Sequence, residues 1–130
     1  MKQNIYVGVG TVVPESSFLG PFSVIGNNSK IGENVEIGSH VCISDNVIIG
    51  DNCVIADMVS ICENVEIGEN TFIETGVAFV KKLNQRAKDI STAHKTFVGK
   101  NVSIHAKAVI EAGAQILNNT VIGYDEVITA

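Results

Sequence analysis

An aliphatic residue returns at every sixth position along most of this chain. Between residues 31 and 78 isoleucine opens eight consecutive hexads, and the fifth place of each hexad is small or β-branched. A period of six fits neither the 3.6-residue repeat of an α-helix nor the alternation of a long strand. It is typical of a parallel β-helix, in which each short strand sends two side chains inward. The first-place residues here are Ile31, Ile37, Ile43, Ile49, Ile55, Ile61, Ile67 and Ile73.

Glycine and asparagine recur at the other hexad places. Glycine holds the second place four times in this stretch, and asparagine holds the fourth place five times. Both residues accept a positive φ at low cost, so we predict that the chain turns sharply there. One hexad cannot bury its apolar side alone, and stacked coils would give the continuous core that it needs.

The hexads extend beyond this stretch in both directions, with one interruption. The first place is aliphatic from Val7 onward, the pattern fails after Asn84, and it returns at Val98. We therefore predict a single all-β domain over residues 1–130, with hexads at 7–84 and 92–130 and a protruding loop at about 85–91. The chain could also be a piece of a longer polypeptide. Loops that leave a rigid repeat scaffold commonly carry function.

Composition narrows the class of protein. Hydrophobic residues make up 45% of the chain but aromatic residues only 5%, as expected of a narrow tube filled with Ile and Val. No apolar run approaches the roughly 18 residues that a membrane span needs. The three cysteines lack CxxC spacing, which favours free thiols in a reducing compartment. We therefore expect a cytoplasmic protein with no membrane partner.

Positive charge is concentrated in one segment. Residues 1–80 carry a net charge of −8, residues 81–107 carry +6, and residues 108–130 carry −3. A local basic block on an acidic chain suggests a small anionic ligand, whereas nucleic acid would require a broader basic surface. A solvated, lysine-rich loop is the alternative.

Stacking of the hexads indicates where catalytic groups would meet. If a loop of about seven residues is removed, every third hexad shares a face, and Glu63, Lys81 and His105 gather beside the loop. His105 and His94 are candidate general bases, whereas His40 holds a corner place and is interpreted as a turn residue. The close His-x4-His pair of a γ-class carbonic anhydrase zinc site is missing, so we expect no metal.

The hexads resemble those of the hexapeptide-repeat acyltransferases, which fold as left-handed β-helices with three hexads per coil. From Ile49 onward the chain is most similar to acetyl-CoA-dependent N-acetyltransferases that modify amino groups on nucleotide-linked sugars. The hexads themselves are generic, and the loop with its flanks is more specific. Three stretches carry this resemblance: MVSICENV (58–65), VAFVKKLNQR (77–86) and TFVGKNVSIHAKAVIEAG (96–113).

The resemblance implies a function and a set of roles. It implies a homotrimer that transfers an acetyl group from acetyl-CoA to the amine of a dTDP- or UDP-linked amino-deoxy sugar in surface polysaccharide biosynthesis. Sugar O-acetylation and a non-catalytic trimeric assembly domain are the alternatives. The implied roles are proton transfer by Glu63, His94 or His105, substrate binding by Lys81, Asn84 and Arg86, and contacts with the pantetheine arm of CoA by Ala106, Lys107, Ala112 and Gly113.

Overall fold

The chain winds as a left-handed parallel β-helix of about six coils. The computed structural model describes residues 4–81 and 95–130, and every regular element in these ranges is a short β-strand. These ranges contain eighteen strands, which form three parallel sheets, one on each side of a triangular coil. This confirms the all-β hexapeptide-repeat fold that the six-residue period and the resemblance predicted.

The chain contributes strands to the three sheets, called A, B and C, in turn. Sheet A contains β1 (Tyr6–Val7), β3 (Val24–Ile25), β6 (Cys42–Ile43), β9 (Ser60–Ile61), β12 (Ala78–Val80), β15 (Val109–Glu111) and β18 (Val127–Ile128). Sheet B contains β4 (Lys30–Ile31), β7 (Ile48–Ile49), β10 (Val65–Ile67), β13 (Thr96–Val98) and β16 (Gln115–Ile116). Sheet C contains β2 (Phe18–Leu19), β5 (Glu36–Ile37), β8 (Val54–Ile55), β11 (Phe72–Ile73), β14 (Ser103–Ile104) and β17 (Val121–Ile122).

The core is a set of ladders of first-place and fifth-place side chains. From Ile25 to Ile122 the first-place residues of the described coils are buried. Adjacent residues of β7 show the division between faces, because Ile49 is 1% exposed and Ile48 is 41% exposed. Since strand neighbours point to opposite faces, the six-residue period fixes which isoleucines fill the tube.

Hydroxyl groups replace aliphatic groups in the early coils without leaving buried polar atoms unsatisfied. The Ser23 hydroxyl donates to the Gly38 carbonyl at 2.8 Å and accepts the Val41 N–H at 3.2 Å. Ser29 makes the equivalent pair of bonds one hexad later, to the Ser44 carbonyl and the Val47 N–H. Each fifth-place hydroxyl thus joins two backbone groups of the next coil, and the polar substitution costs little inside the tube.

Third-place aspartates join successive coils at the corners. Oδ1 of Asp57 accepts the Ser39 N–H at 2.9 Å, and Oδ1 of Asp51 accepts the Glu33 N–H at 2.8 Å. The glycine before such an N–H is required by space, because a Cβ at Gly38 would collide with the Asp57 carboxylate. The second-place glycines therefore serve close approach between coils.

The three corners differ in the residues that adopt a positive φ. At the corners between sheets A and B and between sheets B and C, every such non-glycine residue that the structure describes is asparagine. The corner between sheets C and A, called the C–A corner below, begins with Asn4 and then departs from this rule. Its later positive-φ residues, apart from Gly76, are Phe22, His40, Met58, Lys107 and Asp125. A positive φ costs a non-glycine residue about 1–2 kcal/mol of conformational free energy, and this cost is smallest for asparagine.

The strand register corrects the stacking that we predicted beyond residue 81. Val98 pairs with Ile67, Ile104 pairs with Ile73 and Ile110 pairs with Phe79. Placing His105 beside Lys81 requires Ile104 to lie above Phe79, so this part of the prediction is wrong. A seven-residue loop would leave one strand place between Phe79 and Val98, whereas the pairing leaves none, because β12 of sheet A is followed directly by β13 of sheet B. The loop predicted at 85–91 lies outside the described residues.

Within residues 4–81 and 95–130 there is no helix long and apolar enough to cross a membrane.

Candidate active site

A histidine and a glutamate meet at the C–A corner on successive coils. Nδ1 of His105 lies 3.1 Å from Oε1 of Glu74, and the same oxygen accepts the Ala106 N–H at 2.9 Å. The His105 side chain is 31% exposed and the Glu74 side chain 26% exposed. The pair is therefore partly shielded from solvent but reachable by a ligand.

The repeat explains why these two side chains meet. Glu74 follows Ile73 of β11 and His105 follows Ile104 of β14, and these isoleucines pair directly. Both residues thus occupy second places, where glycine is usual, on neighbouring coils. Gly123 holds the same place on the next coil and carries no side chain, which leaves space above the imidazole.

An aromatic ring uses that space. The Tyr124 ring stacks on the His105 imidazole with centroids 4.6 Å apart and planes 23° apart. Tyr124 is itself 66% exposed. The His105 imidazole is therefore held by Glu74 at Nδ1 and by the Tyr124 ring on one face, and both contacts limit its rotation.

This arrangement suits proton transfer. A carboxylate that accepts from Nδ1–H fixes the tautomer in which Nε2 is free to accept a proton, and it stabilises the imidazolium that results. In the described part of the chain no residue bonds to Nε2. The chemistry available at this corner is therefore that of a general base with an oriented imidazole.

The register separates His105 from two residues that we expected beside it. Glu63 and Lys81 form an ion pair of 3.1 Å, as their predicted stacking required, but they lie at the corner between sheets A and B. His105 lies at the C–A corner, so the predicted group of three is wrong. The prediction failed because it placed one strand between Phe79 and Val98, whereas the structure has Val98 in the next strand after Phe79.

The residues expected to contact CoA are divided between the same two corners. Ala106 and Lys107 lie beside His105, whereas Ala112 and Gly113 follow β15 at the corner that holds Glu63. The N–H groups of Ala112 and Gly113 donate to the Val80 carbonyl and to the Thr96 hydroxyl. Contacts with a pantetheine arm would therefore use carbonyl groups or the Lys107 side chain. His94, Asn84 and Arg86 lie outside the described residues.

Much of the basic block is paired with acids one coil below. Lys81 pairs with Glu63 at 3.1 Å, Lys95 with Glu66 at 2.7 Å and Lys100 with Glu69 at 3.9 Å. These side chains are largely exposed, and such pairs contribute little to stability. The pairs do reduce the net positive charge available to an anionic ligand.

A thiol lies beside the Glu63–Lys81 pair. Burial raises the pKa of the Cys62 thiol, and the nearby Glu63 carboxylate raises this pKa further. The thiol is therefore mostly protonated at neutral pH and is a poor nucleophile. Among the described residues no group of three or more His, Cys, Asp and Glu side chains is placed to hold a metal ion.

Sequence reasoning missed Glu74 and Tyr124. The signal for Glu74 was present, because Glu74 and His105 both replace the usual second-place glycine. It could be used only with the correct number of strands between Phe79 and Val98. Tyr124 carried no comparable signal, since its contact with His105 depends on the empty place at Gly123.

Comparisons with known proteins agree with this architecture. The model of the bacterial transferase hexapeptide (six repeats) family matches residues 10–45 and 46–79, more than half of the chain. A sequence search of curated proteins gives no significant match.

Solved structures share the fold at low sequence identity. WeeI from Acinetobacter baumannii is 18% identical, with a TM-score of 0.58 over 92% of this chain and 52% of that chain. The acetyltransferase domain of PglB from Neisseria gonorrhoeae in complex with acetyl coenzyme A is 14% identical, with a TM-score of 0.56 over 92% and 52%.

A third structure contains two ligands. It is a variant of perosamine N-acetyltransferase from Caulobacter crescentus in complex with CoA and GDP-perosamine, 19% identical, with a TM-score of 0.51 over 88% of this chain and 50% of that one. The present chain spans about half the length of each of these three structures. The match of the family model and the repeat geometry place this chain in the bacterial transferase hexapeptide family.

Proposed function

We propose that this protein transfers an acetyl group from acetyl-CoA to the amine of a nucleotide-linked amino-deoxy sugar. The observation that carries the proposal is the 3.1 Å contact of His105 Nδ1 with Glu74, which leaves Nε2 as a proton acceptor. Family membership supports a transferase, and two structures of the same fold are named for acetyl transfer. The proposal also includes a dTDP- or UDP-linked sugar as the substrate and a role in surface polysaccharide synthesis. We further propose that the protein is cytoplasmic and homotrimeric.

The proposed reaction needs one base and one leaving group. The substrate amine attacks the thioester carbonyl carbon, and Nε2 of His105 takes the proton that the amine loses. The new C–N bond remains, the C–S bond breaks, and the proton returns to the departing sulfur. Glu74 stabilises the imidazolium between these steps, because its carboxylate faces Nδ1.

Binding roles follow from position and charge. Lys107 lies at the same corner as His105 and supplies a positive charge for an anionic group of the donor or the sugar. Lys81, Asn84 and Arg86 are proposed to contact the substrate. Lys81 lies at the corner between sheets A and B, where it would leave Glu63 and pair with the ligand instead. Arginine gives paired hydrogen bonds to phosphate, and lysine gives a point charge.

A thiol-release assay tests the proposal directly. The protein is incubated with acetyl-CoA and a panel of dTDP-, UDP- and GDP-linked amino sugars, and free CoA is measured. Release that depends on an amino sugar supports the proposal, and release with the matching hydroxyl sugar indicates O-acetylation instead. If no sugar gives turnover and calorimetry detects no CoA binding, the protein is a non-catalytic assembly domain.

A further inference from the structure

The hydrogen bond to Glu74 fixes one atom of the His105 ring but not the direction of the ring. Nδ1 of His105 lies 3.1 Å from Oε1 of Glu74, so this contact sets the tautomer. A hydrogen bond tolerates a broad range of angles, and the imidazole could still swing about Nδ1. Such a swing would turn Nε2 away from a bound amine, so a general base at this corner needs a second contact to aim it.

The Tyr124 ring supplies that second contact. It stacks on the imidazole with centroids 4.6 Å apart and planes 23° apart, within the range that stacked aromatic pairs prefer. Because the two planes are nearly parallel, a swing of the imidazole toward Tyr124 meets the phenol ring, and a swing away from it loses the stacking. Glu74 thus holds the His105 ring at its edge, and Tyr124 holds it on its face.

The backbone on both sides of Tyr124 is fixed. The Gly123 N–H donates to Oε1 of Glu126 at 2.6 Å, and the Asp125 N–H donates to the Ala106 carbonyl at 3.1 Å. Glu126 holds a fifth place of its hexad, where other coils carry small apolar or hydroxyl side chains, yet its carboxylate bonds this corner. Tyr124 is therefore a fixed wall for the imidazole, although its own side chain is 66% exposed.

Tyr124 departs from the pattern of its corner. The other third-place residues of the C–A corner that the structure describes are Pro21, Ser39, Asp57, Thr75 and Ala106, none of which is aromatic. Of the two histidines in the described ranges, His40 stacks on Phe22 but has no acidic partner, whereas His105 has both a stacked ring and a carboxylate. The aromatic third-place residue thus lies on the histidine that is suited to proton transfer.

We propose that Tyr124 is a positioning residue that, together with Glu74, directs Nε2 of His105 toward the substrate amine. Tyr124 acts through the imidazole and does not itself touch the substrate. This deepens the proposed function and rests on it for its catalytic consequence, whereas the orientation of the ring can be measured without substrate. An interaction that serves proton transfer should affect kcat more than KM.

Three single variants separate stacking from other effects. Tyr124→Ala removes the ring, and Tyr124→Phe keeps the stacked ring but removes the hydroxyl group. Phe22→Leu is the matched control, because it removes the ring that stacks on the other corner histidine, His40, with centroids 5.1 Å apart. Melting temperatures show whether each variant is folded, and Tyr124→Leu replaces Tyr124→Ala if the alanine variant does not fold.

The first readout is nitrogen-15 NMR of the histidine side chains, recorded on the neutral imidazole without substrate. In the wild type we expect His105 to show one tautomer, with the proton on Nδ1 and two well-separated nitrogen shifts. In Tyr124→Ala the two shifts should approach each other, because the ring leaves Glu74 for part of the time and the tautomers mix. Tyr124→Phe and Phe22→Leu should retain the wild-type His105 shifts, and unchanged shifts in Tyr124→Ala would overturn the proposal.

The second readout is steady-state kinetics with acetyl-CoA and the amino sugar that the thiol-release assay identifies. We expect Tyr124→Ala to lower kcat by about 10- to 100-fold with little change in KM, because a small misplacement of a reacting group costs rate on that order. Tyr124→Phe should restore the wild-type kcat. In a His105→Asn background, Tyr124→Ala should cause no further loss, since both changes act through one ring.

Two kinetic results would contradict the proposal. A further loss of kcat in the His105→Asn background would show that Tyr124 acts on the substrate directly. A raised KM at constant kcat would show that Tyr124 is a binding residue. If the wild type turns over no sugar, the proposed function fails, and the nitrogen shifts of Tyr124→Ala alone decide whether Tyr124 orients His105.

Discussion

Nδ1 of His105 lies 3.1 Å from Oε1 of Glu74, although 31 residues separate them along the chain. Two conditions bring them together. Both side chains occupy second places of their hexads, and the strands that precede them pair directly. The contact therefore depends on the register of the whole β-helix and would be lost if either strand moved by one place.

The first prediction concerns this pair. We expect His105→Asn to lower kcat by about 10²- to 10⁴-fold, because a positioned general base contributes about that much. Glu74→Gln should give a smaller loss, since the imidazole remains but loses its charged partner. Steady-state kinetics with acetyl-CoA and the accepted amino sugar measure both losses.

Glu36→Gln is the control, because it removes a carboxylate from the outer face of sheet C, the sheet whose strands precede Glu74 and His105. A His105→Asn enzyme with wild-type kcat would show that the pair is structural.

The second prediction concerns the two faces of one strand. Ile49→Asp should destabilise the fold by about 3–5 kcal/mol, because it leaves an unpaired charge inside the tube. Ile48→Asp, one residue earlier on the exposed face, should cost about 1 kcal/mol or less. Urea denaturation of both variants gives the comparison, and equal losses would contradict the assignment of faces.

The third prediction concerns stability at alkaline pH. Burial raises the pKa of the Cys53 thiol and of the Cys62 thiol in the folded protein. The folded state therefore retains protons that the unfolded thiols release from about pH 8.5 upward. The free energy of unfolding should thus fall as pH rises through this region and up to the folded pKa values.

Cys53→Thr should make that alkaline fall smaller, because it removes one of the two shielded thiols. The tube should accept threonine there, since Thr71 already fills an equivalent fifth place with a hydroxyl that donates to the Gly99 carbonyl. Cys42→Ser, which removes an exposed thiol and keeps the two shielded ones, is the control. Denaturant titrations at several pH values provide the measurement. An alkaline fall of the same size in Cys53→Thr and Cys42→Ser would contradict the prediction.

The fourth prediction concerns the basic segment. Arg86→Ala should raise KM for the donor or the sugar with a smaller effect on kcat, as expected when a ground-state binding contact is lost. Lys30→Ala, which removes an exposed positive charge from sheet B, is the control. Steady-state kinetics separate the two parameters, and identical KM values in both variants would indicate that the segment is only solvated.

Much of the fold could be predicted from the sequence, but less of the site. The isoleucine period identified the inward residues, and the register of Lys81 above Glu63 followed from counting hexads. Counting failed between Phe79 and Val98, where no hexad pattern exists. Every residue after that point was assigned to the wrong sheet, and His105 was placed beside Glu63 instead of Glu74.

The sequence by itself determined the architecture of this protein. A six-residue period permits few alternatives, because only a coil with short strands and sharp corners buries Ile31, Ile49 and Ile67 in one ladder. For the coils after Lys81, the tertiary structure alone decided which side chains meet at the corners. Those contacts join coils that are far apart in the chain, and the number of strands between them sets which residues become neighbours.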